Sequence, residues 1–258
     1  MDLRLTDKVA CVTGSSRGIG QAIADAFLRE GARVVLTGRN EARLATAATA
    51  LKDRWGGDRI FVFPGDLTKN GVIQECIEAI QSQWHRLDIV VANLGTGRGK
   101  TGWALSFEDW EQLLSANLIA ASLMVTHAVP LMRQSGGGSV TFIASIAGLE
   151  ALRAPIPYAS AKAGLIVLSK TLSRELAADQ IRVNVVAPGN IWFAEGVWDR
   201  KQREDPSGVE SYLRLEVPMK RFGNPEEIAD TVAFVSSSRA SFITGACIVV
   251  DGGQSRAW

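Results

Sequence analysis

Histidine is nearly absent from this 258-residue chain: His85 and His127 are the only two, too few to build a histidine-rich metal site. No metal is expected. Cysteine is scarce as well. Cys11, Cys76 and Cys247 form no C-x-x-C pair, and an odd, scattered set excludes a disulfide framework and fits buried thiols in a reducing compartment. Charge of one sign is also missing. The formal net charge is +1, and the basic stretch Lys201 to Arg203 is balanced by Glu204 and Asp205. That argues against a nucleic-acid partner or an acidic membrane surface. The first residues, with Asp2, Arg4, Asp7 and Lys8, lack the apolar core of a signal peptide. No uninterrupted apolar run approaches the roughly 20 residues of a membrane helix. A soluble, cytoplasmic protein is the expectation.

What is present is a composition able to build a core, 47% hydrophobic and 21% charged. Short β-branched runs alternate with longer helical stretches. Strands are expected at Val9–Val12, Arg33–Thr37, Ile60–Phe63, Asp88–Val91, Ser139–Ile143, Arg182–Val186 and Ala246–Val250. Helices are expected between them, including Glu41–Asp53, Val72–Gln83, Phe107–Asn117, a further one through Leu131, Tyr158–Ala178 and Pro225–Ser236. The strands read as near-continuous apolar runs, as strands covered on both faces should. The pattern predicts an α/β fold: a Rossmann-like, doubly wound parallel sheet of seven strands with helices on both faces. No repeat or linker divides the chain, so residues 1–258 are expected to form one domain. Residues 190–221 break the rhythm with mixed charge, two glycines and two prolines. A long excursion of this kind reads as a substrate-binding lid.

The first strand runs into Thr13-Gly14-Ser15-Ser16-Arg17-Gly18-Ile19-Gly20. Small residues there let the backbone approach a pyrophosphate, and the following helix offers unpaired N–H groups and a positive dipole end. The spacing is G-x-x-x-G-x-G, so a tight turn without ligand stays open on this motif alone. The second strand ends Thr37-Gly38-Arg39-Asn40, with no acidic residue to hold a ribose 2′-hydroxyl. Arg39 and Arg17 are instead suited to a 2′-phosphate. NADP(H) is therefore preferred as cofactor, with NAD(H) also admitted.

Tyr158 precedes Lys162 by one helical turn. An ammonium beside a phenol favours the phenolate and brings proton transfer within reach near neutral pH. Ser145 follows the fifth strand at the C-terminal edge, where open α/β sheets bind ligands, and its hydroxyl could hold a substrate oxygen.

These features in order resemble the short-chain dehydrogenase/reductase family over nearly the whole chain. The resemblance rests on the glycine turn from Thr13 to Gly20, Asp66, Asn93-Leu94-Gly95, Asn117, Ser145, Tyr158 with Lys162, Pro188-Gly189, and Asp251-Gly252-Gly253. It implies a proton-transfer role for Tyr158, with Lys162 lowering the tyrosine pKa and binding the nicotinamide ribose. It further implies that Ser145 positions the substrate and that Asn117 holds a relay water. The implied cofactor contacts are Gly14, Ser16, Arg17, Gly18, Ile19, Gly20, Arg39, Asp66, Leu67, Asn93, Gly95, Tyr158, Lys162, Pro188, Gly189 and Ile191, and the implied assembly is a homo-tetramer or dimer. Two departures stand out. Leu94 replaces a usual alanine, and Phe193 falls where many members place a threonine on the nicotinamide carboxamide.

The expected activity is interconversion of a carbonyl and an alcohol on a small-molecule substrate. A 3-oxoacyl-thioester reductase and a sugar or polyol dehydrogenase are both admitted. Trp192, Phe193 and Trp198 could pack on substrate or anchor the lid. Arg98, Lys100 and Arg153 could attract an acidic group or lie solvated. The alternative from another class is a dinucleotide-binding sensor or scaffold subunit without turnover.

Overall fold

A computed structural model describes residues 1–256. Its strands are β1 (Val9–Val12), β2 (Arg33–Gly38), β3 (Ile60–Pro64), β4 (Ile89–Ala92), β5 (Gly138–Ile143), β6 (Ile181–Pro188) and β7 (Cys247–Val250). They pair in parallel in the order β3-β2-β1-β4-β5-β6-β7. The expected seven-stranded, doubly wound sheet is what forms. Its order reverses between β1 and β4, so a crevice opens beyond their C-terminal ends.

Alternation along each strand sends its apolar side chains to two separate cores. Cys11, Val35, Val90, Val140, Phe142, Val183 and Val185 face one layer, with Met124, Ala128 and Leu165 from α5 (Ala120–Gln134) and α6 (Ile156–Glu175). Ala10, Val12, Val34, Leu36, Val91, Ile143 and Val186 face the other. There they meet Ile23 and Phe27 of α1 (Gly18–Arg29), Leu44 of α2 (Glu41–Trp55), and Ile228 and Val232 of α9 (Pro225–Ser236). α3 (Val72–Trp84) completes the first layer through Ile73, Cys76, Ile77 and Ile80.

The two helices expected between Phe107 and Leu131 are one continuous run. α4 (Phe107–Leu114) passes through a π turn at Ser115–Ile119 directly into α5. No glycine or proline interrupts the chain there, and Pro130 lies within α5. The merged helix Phe107–Gln134 is, by length and composition, long and apolar enough to cross a membrane, which short apolar runs in the sequence did not suggest. Here it lays Met124, Val125, Ala128 and Met132 against the sheet. Residues 190–221 fold into two short helices, α7 (Val197–Glu204) and α8 (Pro206–Glu216).

Asp88, expected as the first residue of the fourth strand, instead precedes it and ties the sheet's N-terminal edge together. Its buried carboxylate accepts from Val9 N (2.9 Å), Lys8 Nζ (3.0 Å) and both Nε and an Nη of Arg86 (2.9 and 2.6 Å). Its backbone also joins β1 to β5, donating to Val9 O and accepting from Ser139 N. Asp88→Ala would leave the Val9 N–H and two half-buried cations without a partner. The expected loss is about 2–4 kcal/mol of unfolding free energy. Urea titration should show it as a lower midpoint with an unchanged slope; an unaltered midpoint would contradict this account of the edge.

Candidate active site

The glycine turn is held from beneath by threonine hydroxyls. Thr13 Oγ1 accepts from the backbone N–H groups of Asn93 (2.9 Å) and Leu94 (2.8 Å), binding the end of β4 to the end of β1. Thr37 Oγ1 accepts from Gly14 N at 3.1 Å. The Asn93 amide donates to Thr13 O and Gly14 O at 2.9 and 3.2 Å. Asn93 therefore braces the turn as well as bordering the crevice. Gly14 and Gly18 hold φ of +66° and +55°, and a Cβ on Gly20 would collide with the Gly14 carbonyl and the Asn93 amide. Only glycine lets α1 begin this close to β1.

α1 starts bare. Its N-cap, Arg17, makes no side-chain capping bond, and its first turn holds no acidic residue. Its terminal N–H groups and positive dipole end are thus left for an external anion, which fits the phosphates of a dinucleotide. Arg17, Arg39, Arg43 and Arg98 gather near this end. The Arg17 guanidinium is pushed below its ordinary pKa by burial and by the three neighbouring arginines. Asp66 lies within electrostatic reach of Arg39 and holds the Thr68 hydroxyl at 2.7 Å. Next to it, Leu67 is buried in the core.

At the other end of the crevice, Ser145 caps a short 3₁₀ turn after β5, its Oγ accepting from Ala147 N at 3.1 Å. α6 begins at Ile156, with Pro157 in its first turn. This start presents Tyr158 to Ser145, whose hydroxyl favours the ionised phenol. Lys162, one turn on, is only 4% exposed, lies 5.7 Å from the Tyr158 ring centre and donates to Ile143 O at 2.7 Å. Burial raises the Tyr158 pKa above its ordinary value, opposed by the Ser145 hydroxyl. Burial also lowers Lys162 to about 8. The expected downward pull of Lys162 on the tyrosine is thus overridden: desolvation dominates, and the ammonium is directed at the β5 carbonyl.

Asn117 is fully buried in the π turn. Its amide donates to Leu113 O (2.9 Å) and Thr96 O (3.0 Å), and its Oδ1 accepts from Thr96 N (3.0 Å). A π turn breaks the regular i to i+4 ladder, a feature found often at functional sites. A Cβ on Gly95 would come 2.5 Å from Asn117 Oδ1 and 3.3 Å from Lys162 Nζ, so all three groups share one small volume. Pro188 ends β6, and a Cβ on Gly189 would lie 2.7 Å from the Asp251 side chain. Ile191 is buried and bridges to Gly223.

A family model described as enoyl-(acyl carrier protein) reductase matches residues 14–255. The chain is 36% identical to 3-oxoacyl-(acyl-carrier-protein) reductase of Chlamydia muridarum, covering 98% of this chain and 100% of that one. D-threitol dehydrogenase of Mycolicibacterium smegmatis is 35% identical, with coverages of 98% and 94%. The structure of L-sorbose reductase from Gluconobacter frateurii, complexed with NADPH and L-sorbose, superposes with a TM-score of 0.95 at 36% identity over the whole of both chains. This chain belongs to the short-chain dehydrogenase/reductase family. It is an oxidoreductase acting on CH–OH and C=O groups.

Within that family frame, the structure brings Ser145, Tyr158, Lys162, Asn117 and Gly95 to one end of the crevice and the glycine turn to the other. Phe193, which follows Pro188-Gly189 in sequence, packs against the start of α1. Its ring rests on the glycine turn, 2.7 Å from where a Gly18 Cβ would be, with Arg17 5.9 Å from its centre. Trp198 stacks on Tyr212 (5.1 Å) and packs against Phe222 (5.2 Å), so it anchors the 190–221 segment, while Trp192 is partly exposed. Arg98 donates to Glu195 O, and Lys100 pairs with Asp109. The sequence reading missed Thr37, Thr96, Arg43 and Glu195 as parts of the site, because their partners are distant in the chain.

Lys162 carries a buried charge held below its unfolded pKa, so the unfolded chain binds more protons between about pH 8 and 10.5. Its drag on stability is complete below about pH 8 and fades as pH rises to the unfolded value. Lys162→Met should therefore raise neutral-pH stability by about 1–3 kcal/mol, after loss of the Ile143 hydrogen bond. Thermal melts at pH 7 and pH 10 check this. The gain should shrink at the higher pH; a gain that grows there contradicts burial as the cause.

Proposed function

We propose that this chain is an NADP(H)-dependent carbonyl reductase in which Tyr158 gives the proton. The observation carrying this is the cluster of the partly buried Ser145 and Tyr158 side chains with the buried Lys162 ammonium, set at the sheet's ligand edge. A phenol held above its ordinary pKa stays protonated at neutral pH, the form needed to donate to a carbonyl oxygen. Ser145 would hold that oxygen, and the Lys162 ammonium would balance the phenolate left behind. Asn117, with the Thr96 backbone, would position a water that returns the proton through Lys162. When bound, the reduced nicotinamide supplies a hydride to the substrate carbon. Gly14, Ser16, Arg17, Gly18, Ile19 and Gly20 would hold its phosphates, Asp66 and Leu67 its adenine end, and Asn93, Gly95, Lys162, Pro188, Gly189 and Ile191 the remainder. Arg39 and Arg17 would take the 2′-phosphate. The NADPH bound by the sorbose reductase supports that choice.

Residues 190–221 would form the lid. Asn190 Nδ2 and Gln254 Nε2 both donate to the Tyr212 hydroxyl, at 3.1 and 2.7 Å, and Gln254 Oε1 is buried without a partner. Amides and a hydroxyl beyond the ends of β6 and β7 suit a polyhydroxylated ketone better than an acyl chain. L-sorbose in the structural relative points the same way. A homo-oligomer fits the apolar surface left by Ile119, Leu123 and Val167, exposed at 47%, 43% and 68% on neighbouring helices. The non-catalytic alternative has no observation in its favour.

NADPH oxidation with a panel of ketoses, set against a 3-oxoacyl thioester, tests this reading. Ketose turnover should exceed thioester turnover, and Tyr158→Phe should lower kcat by about a hundredfold to ten-thousandfold while NADPH still binds. Turnover of neither class by the wild type, or full activity in Tyr158→Phe, would overturn it. For the cofactor, Arg39→Asp should weaken NADPH relative to NADH by on the order of tenfold, read as the ratio of fluorescence-titrated Kd values. An unchanged ratio would remove Arg39 from the 2′-phosphate site.

A further inference from the structure

The arginines at the start of α1 already hold an anion, and it belongs to the chain itself. Glu195 accepts from an Nη of Arg43 at 2.9 Å, with an Nη of Arg17 at 3.7 Å from the same oxygen. Its backbone carbonyl accepts from Arg17 and Arg98 at 2.9 and 3.0 Å. Glu195 has φ of +61°, a left-handed conformation uncommon for a side-chain-bearing residue, and its N–H donates to Asp199 at 2.7 Å. Contacts at the carboxylate, carbonyl and N–H together hold the strained residue in place. A cleft of about 490 Å³ lies here, lined by Arg17, Gly18, Arg43, Phe193 and Glu195 among others.

We propose that Glu195 sets how strongly this enzyme discriminates between NADP(H) and NAD(H): its carboxylate draws on Arg17, one of the two arginines a 2′-phosphate would take, and on the neighbouring Arg43, and it is displaced when that phosphate binds. The inference rests on the 2′-phosphate reading of the arginine cluster. NADPH exchanges one anion for another, so its net gain is the phosphate contacts less the Glu195 contacts. NADH, with a bare 2′-hydroxyl, offers nothing to exchange and leaves the Glu195 carboxylate paired. The Arg17 hydrogen bond to the Glu195 carbonyl and the packing of Phe193 are the same in wild type and Glu195→Gln, so they cancel when the two proteins are compared. The Glu195 carboxylate thus penalises only the phosphorylated dinucleotide.

Fluorescence titration of NADPH and NADH at low salt, on wild type, Glu195→Gln and Glu195→Asp, tests the exchange without requiring turnover. The amide should tighten NADPH by about threefold to fivefold, the scale of exposed ion pairs, and leave NADH within about twofold. Glu195→Asp, which keeps the charge, should stay nearer the wild-type ratio, and the gap between wild type and Glu195→Gln should close at high salt. An NADPH-to-NADH ratio in Glu195→Gln that is unchanged or falls overturns the inference. The wild-type ratio separately decides the NADP(H) reading. A wild type that prefers NADH, with Glu195→Gln moving toward NADPH, overturns that preference and upholds the role of Glu195.

Discussion

The ammonium of Lys162 is the constraint around which the catalytic end of the molecule is built. A cation this buried is expensive unless neighbouring dipoles compensate, and the β5 carbonyl of Ile143 supplies the nearest one. That contact requires α6 to lie close against the end of β5, and Gly148 makes it feasible. A Cβ there would come 2.6 Å from the Lys162 backbone. On the opposite side Gly95 leaves room for Nζ and the Asn117 amide together. Asn117 reaches that space only because the helix loosens into a π turn at its position. Two glycines and a π turn thus surround one buried charge.

The same charge sets the protonation of its surroundings. Desolvation acts on both members of the pair, raising the phenol and lowering the ammonium to about 8, and so favours the neutral form of each. The proton is therefore held on the phenol, the form that can donate to a carbonyl oxygen. The Ser145 hydroxyl, held by the 3₁₀ turn, adds a fixed dipole that favours the charged phenol. Destabilising burial here is thus part of what makes the site chemically useful.

Most of the fold was legible in the sequence because parallel strands covered on both faces must be apolar throughout. The runs Val34-Val35-Leu36 and Ile89-Val90-Val91 stand out against amphipathic helices. The glycine turn and the Ser145, Tyr158 and Lys162 spacing were legible for a related reason: strand ends and helical turns fix where nearby residues go. Contacts joining remote segments were not. Nothing near Glu195 in sequence indicates that it meets Arg17, 178 positions away. The tyrosine's pKa direction was misread because charge spacing is visible in a sequence and desolvation is not. The packing of the Phe193 ring on Gly18 was not legible either, because 175 residues separate the two in the chain.

These differences divide the site into two mechanical parts. The floor, made of Thr13, Thr37, Asn93, Asn117 and Lys162, is fastened by side-chain hydrogen bonds to backbone groups of adjoining elements and leaves little freedom. The roof at Phe193 to Glu195 is held by one ring on a glycine, by arginine side chains on the Glu195 carbonyl and carboxylate, and by the Glu195 N–H on Asp199. A left-handed Glu195 adds strain that release would relieve. A rigid floor keeps the proton-transfer geometry constant whatever is bound. A roof fastened mainly by exposed arginine side chains would let a phosphate compete for them. Precision at Tyr158 and adaptability at Glu195 are consequences of where buried and half-buried hydrogen bonds end and exposed arginine contacts begin.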